Sequence, residues 1–118
     1  PSMVTPGSLS EKVAIREVAE MTVRCLKENI PSDLPGVAFL SGGQTELEAT
    51  AHLNEMNKIG EFPWKLSFSY GRALQQSALK AWSGQSENIF IAQDELSHRA
   101  EMNKLAALGQ WDIKLEDR

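Results

Sequence analysis

Cysteine is nearly missing: Cys25 is the only one in 118 residues. A single thiol closes no internal disulfide and builds no Cys-x-x-Cys metal site. No histidine lies near it in sequence, so any catalytic partner would have to come from the fold. Ala14, Val18, Met21 and Cys25 share one face of a helical pattern, which predicts Cys25 as a small core residue. No apolar run reaches the roughly 18 residues of a membrane span. The N-terminus lacks the charged-then-apolar layout of a secretory signal. A reducing, cytoplasmic setting is expected.

Positive charge is also short. Twelve Lys and Arg face sixteen Asp and Glu, a net charge of -4. The two signs are interspersed along helical segments and read as solvated faces. No basic patch is large enough to suggest nucleic acid. No Gly-Lys-Ser/Thr follows a glycine turn at P-loop spacing, and there is no GxGxxG fingerprint. His52 and His98 stand alone without a metal-binding companion. Glu46 and Glu48 point to different helix faces, and no Ser-His-Asp set follows from spacing. No cofactor, no metal and no catalytic residue is therefore assigned.

What is present is a 42% apolar chain, enough for one modest core. Pro1 to Val4 reads as the tail of a strand, and Thr5-Pro6-Gly7 as a turn. Ser8 with Glu11 predicts a capping box, opening a helix that runs to about Asn29, before Pro31 and Pro35. Gly36 to Leu40 is a short apolar strand of the kind buried in a parallel sheet. Thr45 and Glu48 form a second capping box. Ala49, Leu53 and Met56 supply that helix's buried stripe, and Gly60 ends it.

Trp64 to Tyr70 predicts a strand with Leu66, Phe68 and Tyr70 on one face and Lys65, Ser67 and Ser69 on the other. The polar face fits either a polar interior or the wet side of an edge strand. Gly71 opens a helix with Leu74, Ala78, Ala81 and Trp82 inward. Ser86 caps a last helix in which Ile89, Ala92, Leu96 and Ala100 recur at helical spacing. The alternation of strands and helices argues for right-handed βαβ units and a parallel sheet.

The two strand-to-helix turns carry the functional signal. They are Leu40-Ser41-Gly42-Gly43-Gln44 and Ser69-Tyr70-Gly71-Arg72. Unpaired N–H groups at such a turn can hold a phosphate, and glycine lets the anion approach the backbone. Two such turns on consecutive βα units form the phosphate site that barrels build after their last two strands. Arg72 can add charge-assisted bonds. The plainer reading makes both glycine runs simple turns and Arg72 a surface residue.

Beyond spacing, the residues resemble a family. Pro1-Ser2-Met3-Val4-Thr5-Pro6-Gly7, Gly36 to Gln44 and Ser67 to Leu74 are similar to class I fructose-bisphosphate aldolase, a match extended by Pro63-Trp64, Gln75-Gln76-Ser77 and Leu79-Lys80-Ala81-Trp82. It covers the chain to about Gln110. The resemblance implies a (β/α)8 barrel that cleaves fructose 1,6-bisphosphate through a lysine Schiff base, giving dihydroxyacetone phosphate and glyceraldehyde 3-phosphate. In the family that lysine directly precedes the proline matching Pro1. The second lysine, the acidic acid/base residues and the first five strands match nothing here. What matches is the substrate-phosphate half: Ser41, Gly42 and Gly43 after one strand, Ser69, Gly71 and Arg72 after the next. Ser2 departs from the family's usual asparagine, and Trp111 to Arg118 resembles the shorter tail of bacterial relatives.

The expected fold is α/β: the C-terminal third of a (β/α)8 TIM barrel. It comprises about three parallel strands with helices in one partial domain over 1–118, with 112–118 a flexible polar tail. The expected function is the phosphate-binding part of a class I aldolase, inactive alone. The alternatives are a stand-alone phosphate-sugar binding module and an inert, oligomerising fragment. A flavodoxin-like nucleotide binder lacks its fingerprint. Expected partners are a sugar phosphate, through its phosphate, and further copies of the chain in a homo-oligomer, because the bare strand edges are templates for pairing. Nucleic acid and membrane are not expected.

Overall fold

Strand β1 (Gly36–Phe39) and strand β2 (Lys65–Phe68) pair in parallel in the computed structural model, which describes residues 1–118. Their register sets Val37 opposite Leu66 and Phe39 opposite Phe68. Between them runs α2 (Glu46–Lys58), completing one βαβ unit. Around it pack α1 (Ile15–Asn29), α3 (Arg72–Trp82) and α4 (Ile89–Ala107), with one-turn 3-10 segments at Ser86–Asn88 and Ile113–Glu116. Phe39, Leu53, Met56 and Val18 are the largest fully buried apolar side chains. They fill the space where α1 and α2 meet the sheet, and burial of that kind contributes about 1.5–3 kcal/mol per side chain.

Two strands stand where three were expected. Pro1–Val4 lies beside β1 without forming a ladder. Leu40 N–H donates to the Pro1 carbonyl at 2.9 Å, but Val4 N–H turns to the Thr22 hydroxyl, also at 2.9 Å. The next rung of a parallel ladder, Met3 N–H to the Leu40 carbonyl, is not made, and Val4 N–H on the opposite edge is occupied by a side chain of α1.

Helix α1 begins at Ile15 rather than Ser8. Its N-cap is Ala14, with no side-chain cap. Ser8 and Glu11 form no capping box; Ser10 N–H closes a turn onto Gly7 instead, and the neighbouring Lys12 reaches across to Glu48 at 3.1 Å. The buried stripe of α1 is Val18, Ala19, Thr22, Val23 and Leu26. Met21 and Cys25 are exposed. Both stripes contain Val18, and the position of α2 selects the one that is buried.

The α2 capping box forms as read. Thr45 accepts from Glu48 N–H, and the Glu48 carboxylate accepts from Thr45 N–H, each at 3.1 Å. Ala49, Leu53 and Met56 are buried. Leu66 in β2 and Tyr70 just beyond it are buried as expected, Ser67 and Phe68 are half-buried, and Ser69, after the strand, is exposed. Helix α3 turns Ala73 inward, with Leu74, Ala78 and Ala81 half-buried and Trp82 exposed.

Helix α4 buries Arg99, Met102, Asn103 and Ala106, leaving Ile89 and Leu96 exposed. The 99/102/103/106 spacing is helical, but two of its four residues are polar, so hydropathy points to the wrong face. Residues 112–118 carry the 3-10 turn Ile113–Glu116, and Glu116 docks on α4 through Arg99.

Candidate functional site

The two turns come together. At the end of β1 the chain passes through Ser41, which is buried, and Gly42, whose φ of 59° lies in the left-handed region. An L side chain there would be strained. At the end of β2 it passes Ser69 and Tyr70 into Gly71, the N-cap of α3. Arg72 Nη2 donates to the Gly42 carbonyl at 3.2 Å, which fixes the spacing between the turns. Ser69 N–H donates to the Phe39 carbonyl at 2.8 Å, extending the sheet pairing by one residue into the site.

Neighbouring helices hold this spacing. Glu46, the first residue of α2, accepts from both the backbone N–H (2.9 Å) and the hydroxyl of Ser77 in α3. Tyr70 is buried, and its hydroxyl donates to the Ala49 carbonyl of α2 at 2.8 Å. Burial pushes that phenol well above the usual tyrosine range, so it serves as a fixed donor.

The two helix N-termini differ. That of α2 is closed by its own capping box and carries Glu46 and Glu48 in its first turn. The Glu48 carboxyl lies below its ordinary range, chiefly through the Thr45 backbone bond. That of α3 has no side-chain cap and no acidic residue in its first turn. The N–H groups of Gly42, Gly43, Gly71 and Arg72 donate no backbone hydrogen bond. A Cβ built on Gly71 or Gly43 would meet nothing within 4 Å. Orphan donors at an uncapped helix start, next to a guanidinium, suit an anion.

All peptide bonds are trans, so each C=O is antiparallel to the N–H that follows it. The Gly42 carbonyl faces Arg72, which turns the Gly43 N–H to the other side. There Gly43 borders a cleft of about 560 Å³ lined by Thr5, Lys12, Gln44, Glu48 and His52 among others. Of the six sequence-derived residues, Gly42, Gly71 and Arg72 gather on one side, with Ser69 exposed and Ser41 buried beneath.

Two clusters escaped the sequence reading. Gln44 bridges the Ser41 carbonyl and His52; burial lowers the His52 ring below its ordinary range, with Glu48 opposing weakly. Arg99, Glu116, Trp111, Thr50 and Asn103 form a second, largely buried network. Its members lie up to 66 positions apart in sequence, so only chain folding brings them together.

Residues 1–118 match the family model described as "Glycolytic: Fructose-bisphosphate aldolase class-I". The chain is 59% identical over 112 residues to the cytoplasmic isozyme of fructose-bisphosphate aldolase from Cicer arietinum, covering 94% of this chain and 31% of that protein. It is 56% identical over 112 residues to a probable class 1 fructose-bisphosphate aldolase of Xanthomonas axonopodis pv. citri, covering 93% and 34%. A crystal structure of Plasmodium falciparum fructose-bisphosphate aldolase, solved with TRAP and a small-molecule inhibitor, superposes with a TM-score of 0.91 at 49% identity. It covers 95% of this chain and 33% of that one. The chain spans about a third of the length of the relatives it matches. No helix is long and apolar enough to cross a membrane.

Proposed function

Since the chain belongs to the class I fructose-bisphosphate aldolase family, we propose that it forms the substrate-phosphate half of such an enzyme and is the C-terminal third of its (β/α)8 barrel. The whole enzyme then cleaves fructose 1,6-bisphosphate through a lysine Schiff base in the cytoplasm, giving dihydroxyacetone phosphate and glyceraldehyde 3-phosphate. In this reading one substrate phosphate lies against Gly42, Gly71 and the Arg72 guanidinium. Ser41, Gly43 and Ser69 complete the turns that hold those donors. The observation that carries it is the 3.2 Å bond from Arg72 to the Gly42 carbonyl, which sets the free donors of both turns side by side.

The chain by itself does not cleave the sugar. A Schiff-base lysine needs desolvation or a neighbouring cation to lower its pKa. Every lysine here (Lys12, Lys27, Lys58, Lys65, Lys80, Lys104 and Lys114) is exposed. The test is twofold. Inorganic phosphate added to the purified chain should move the Gly42, Gly71 and Arg72 amide resonances together. Borohydride in the presence of dihydroxyacetone phosphate should trap no adduct. Stoichiometric adduct on any of these lysines would overturn the inactive reading. Amide resonances of both turns unmoved by phosphate would overturn the binding site.

A further inference from the structure

We propose that Gln44 and His52 are a positioning pair that aims the Gly42 N–H at the phosphate. The inference rests on the phosphate reading above and assigns a role to two side chains which that reading leaves unused.

Each step of the geometry forces the next. The Ser41 carbonyl accepts from Gln44 twice, from its backbone N–H at 3.2 Å and from its side-chain Nε2 at 3.0 Å. A carbonyl only accepts, so the Gln44 amide must present its nitrogen there, and its oxygen faces the other way. That oxygen lies against Nδ1 of His52. An amide oxygen also only accepts, so Nδ1 must carry the proton. The tautomer of a buried histidine is thus set by a carbonyl two contacts away. Met3 Sδ, 3.6 Å from Gln44 Nε2, supplies a weak second acceptor for the same amide.

The consequence falls on Gly42. With the Ser41 carbonyl held from the Gln44 side, the antiparallel N–H of Gly42 points out of the turn toward the open side of the site. Gly42 sits at a φ of 59° and has no side chain to hold it there. Glycine samples many conformations freely, so the orientation of its N–H depends on what pins the preceding carbonyl. His52 is 5% exposed and held in α2 between Ala51 and Leu53. It is a rigid anchor for a glutamine that would otherwise rotate. Neither residue touches the phosphate position; both act through Ser41.

The experiment uses the 118-residue chain and inorganic phosphate as the probe. Imidazole 15N shifts of the unliganded wild type should report the Nδ1–H tautomer of His52. The Nε2–H tautomer would overturn the pair without any substitution. Gln44→Met and His52→Leu should each displace the Gly42 amide resonance in the unliganded chain. Each should also weaken phosphate binding roughly three- to tenfold, the worth of one hydrogen bond. His52→Asn, whose Nδ2–H can take the place of Nδ1–H, should stay within about twofold of wild type. The double variant should be no weaker than the single ones, because both act on one contact. Should His52→Leu fail to fold, the tautomer and His52→Asn still decide. An undisturbed Gly42 resonance in folded Gln44→Met would overturn the pair. Wild-type amides unmoved by phosphate would instead overturn the phosphate reading, with the tautomer and the Gly42 resonance still judging the pair.

Discussion

Arg99 grips Glu116 with two parallel bonds, Nη1 to Oε1 at 2.8 Å and Nη2 to Oε2 at 2.7 Å. The fork-to-fork geometry is the strongest an arginine and a carboxylate can make. It ties the C-terminal 3-10 turn to α4. The network extends inward, since Arg99 Nη2 also donates to Thr50 in α2 at 3.0 Å. It extends outward, since Trp111 Nε1 donates to Glu116 at 2.7 Å. Arg99 Nε is buried without a partner, so the guanidinium relies chiefly on Glu116, with Glu46 Oε2 further off at 3.9 Å, to offset its desolvation.

Glu116→Gln removes the nearer, bidentate countercharge and leaves that guanidinium buried with only the more distant Glu46 carboxylate, 3.9 Å away. The expected loss is about 2 kcal/mol of stability, less than for a pair in the deep interior because Glu116 lies at the edge of the fold. Thermal unfolding followed by circular dichroism measures it. Arg99→Met combined with Glu116→Leu should recover part of the loss, because no guanidinium is then stranded and Glu46 keeps its two bonds from Ser77. An unchanged Tm in Glu116→Gln would make the tail contact energetically idle.

Acid should destabilise the chain in two stages. Burial lowers His52 below its ordinary value of 6.5. Its contribution is present above that value and is lost as pH falls through the lower folded value. Burial works to raise the Glu116 carboxyl, but bonds from Arg99 and Trp111, the Arg99 charge and a bond from His98 bring it below its ordinary 4.5. Glu48 lies below the same value through its Thr45 bond. Their contributions are present above 4.5 and are lost as pH falls through their folded values. Melting temperature should therefore decline below about pH 6.5 and fall more steeply below about pH 4.5. His52→Asn should flatten the first decline only. A melting temperature constant from pH 7 to pH 5 would contradict the His52 part.

Arg72→Ala should weaken inorganic phosphate binding by roughly five- to thirtyfold, the range for one charge-assisted bond that is partly screened at an exposed site. It also removes the bond to the Gly42 carbonyl. Arg72→Lys should recover only part, because an ammonium lacks the fork that reaches phosphate and carbonyl at once. Calorimetric titration reads both. Equal affinity in wild type and Arg72→Ala would reduce the arginine to a structural contact.

Self-association is the fourth expectation. A two-stranded parallel sheet leaves edges that template pairing. Phe90 is 84% exposed, and Ile91 and Leu79 are both more than half exposed. An apolar surface of that kind favours burial against another chain. Sedimentation equilibrium at micromolar concentration should give a dimer or larger species. A cooperative folded monomer would mean that the exposed surface is tolerated.

Local chemistry was legible at several places where the residues deciding it are neighbours, although the equally local Ser8 and Glu11 box lost to the turn that Ser10 N–H closes onto Gly7. The Thr45 and Glu48 capping box is three residues wide, and the alternation of Leu66 and Tyr70 needs only the strand's own period of two. The glycine turns were readable for the same reason, since a φ of 59° at Gly42 is a property of one residue. Which face of a helix is buried was not. Cys25 and Met21 lost to Val23 and Leu26 because α2 packs one step further round α1. Helix α4 hid its buried face because Arg99 and Asn103 become core residues only once Glu116 and Thr50 satisfy them.

The sequence by itself determined the βαβ unit, the two turns and the identity of the donors they offer, because hydropathy period, caps and glycine act within a few residues. Only the tertiary structure decided that Pro1–Val4 makes a single bond to Leu40 and docks Val4 on Thr22, short of forming a third strand. It alone set Arg72 against Gly42 and Gln44 between Ser41 and His52. Such contacts depend on how far apart packed helices hold their ends, and that distance is fixed by the volume of the core between them.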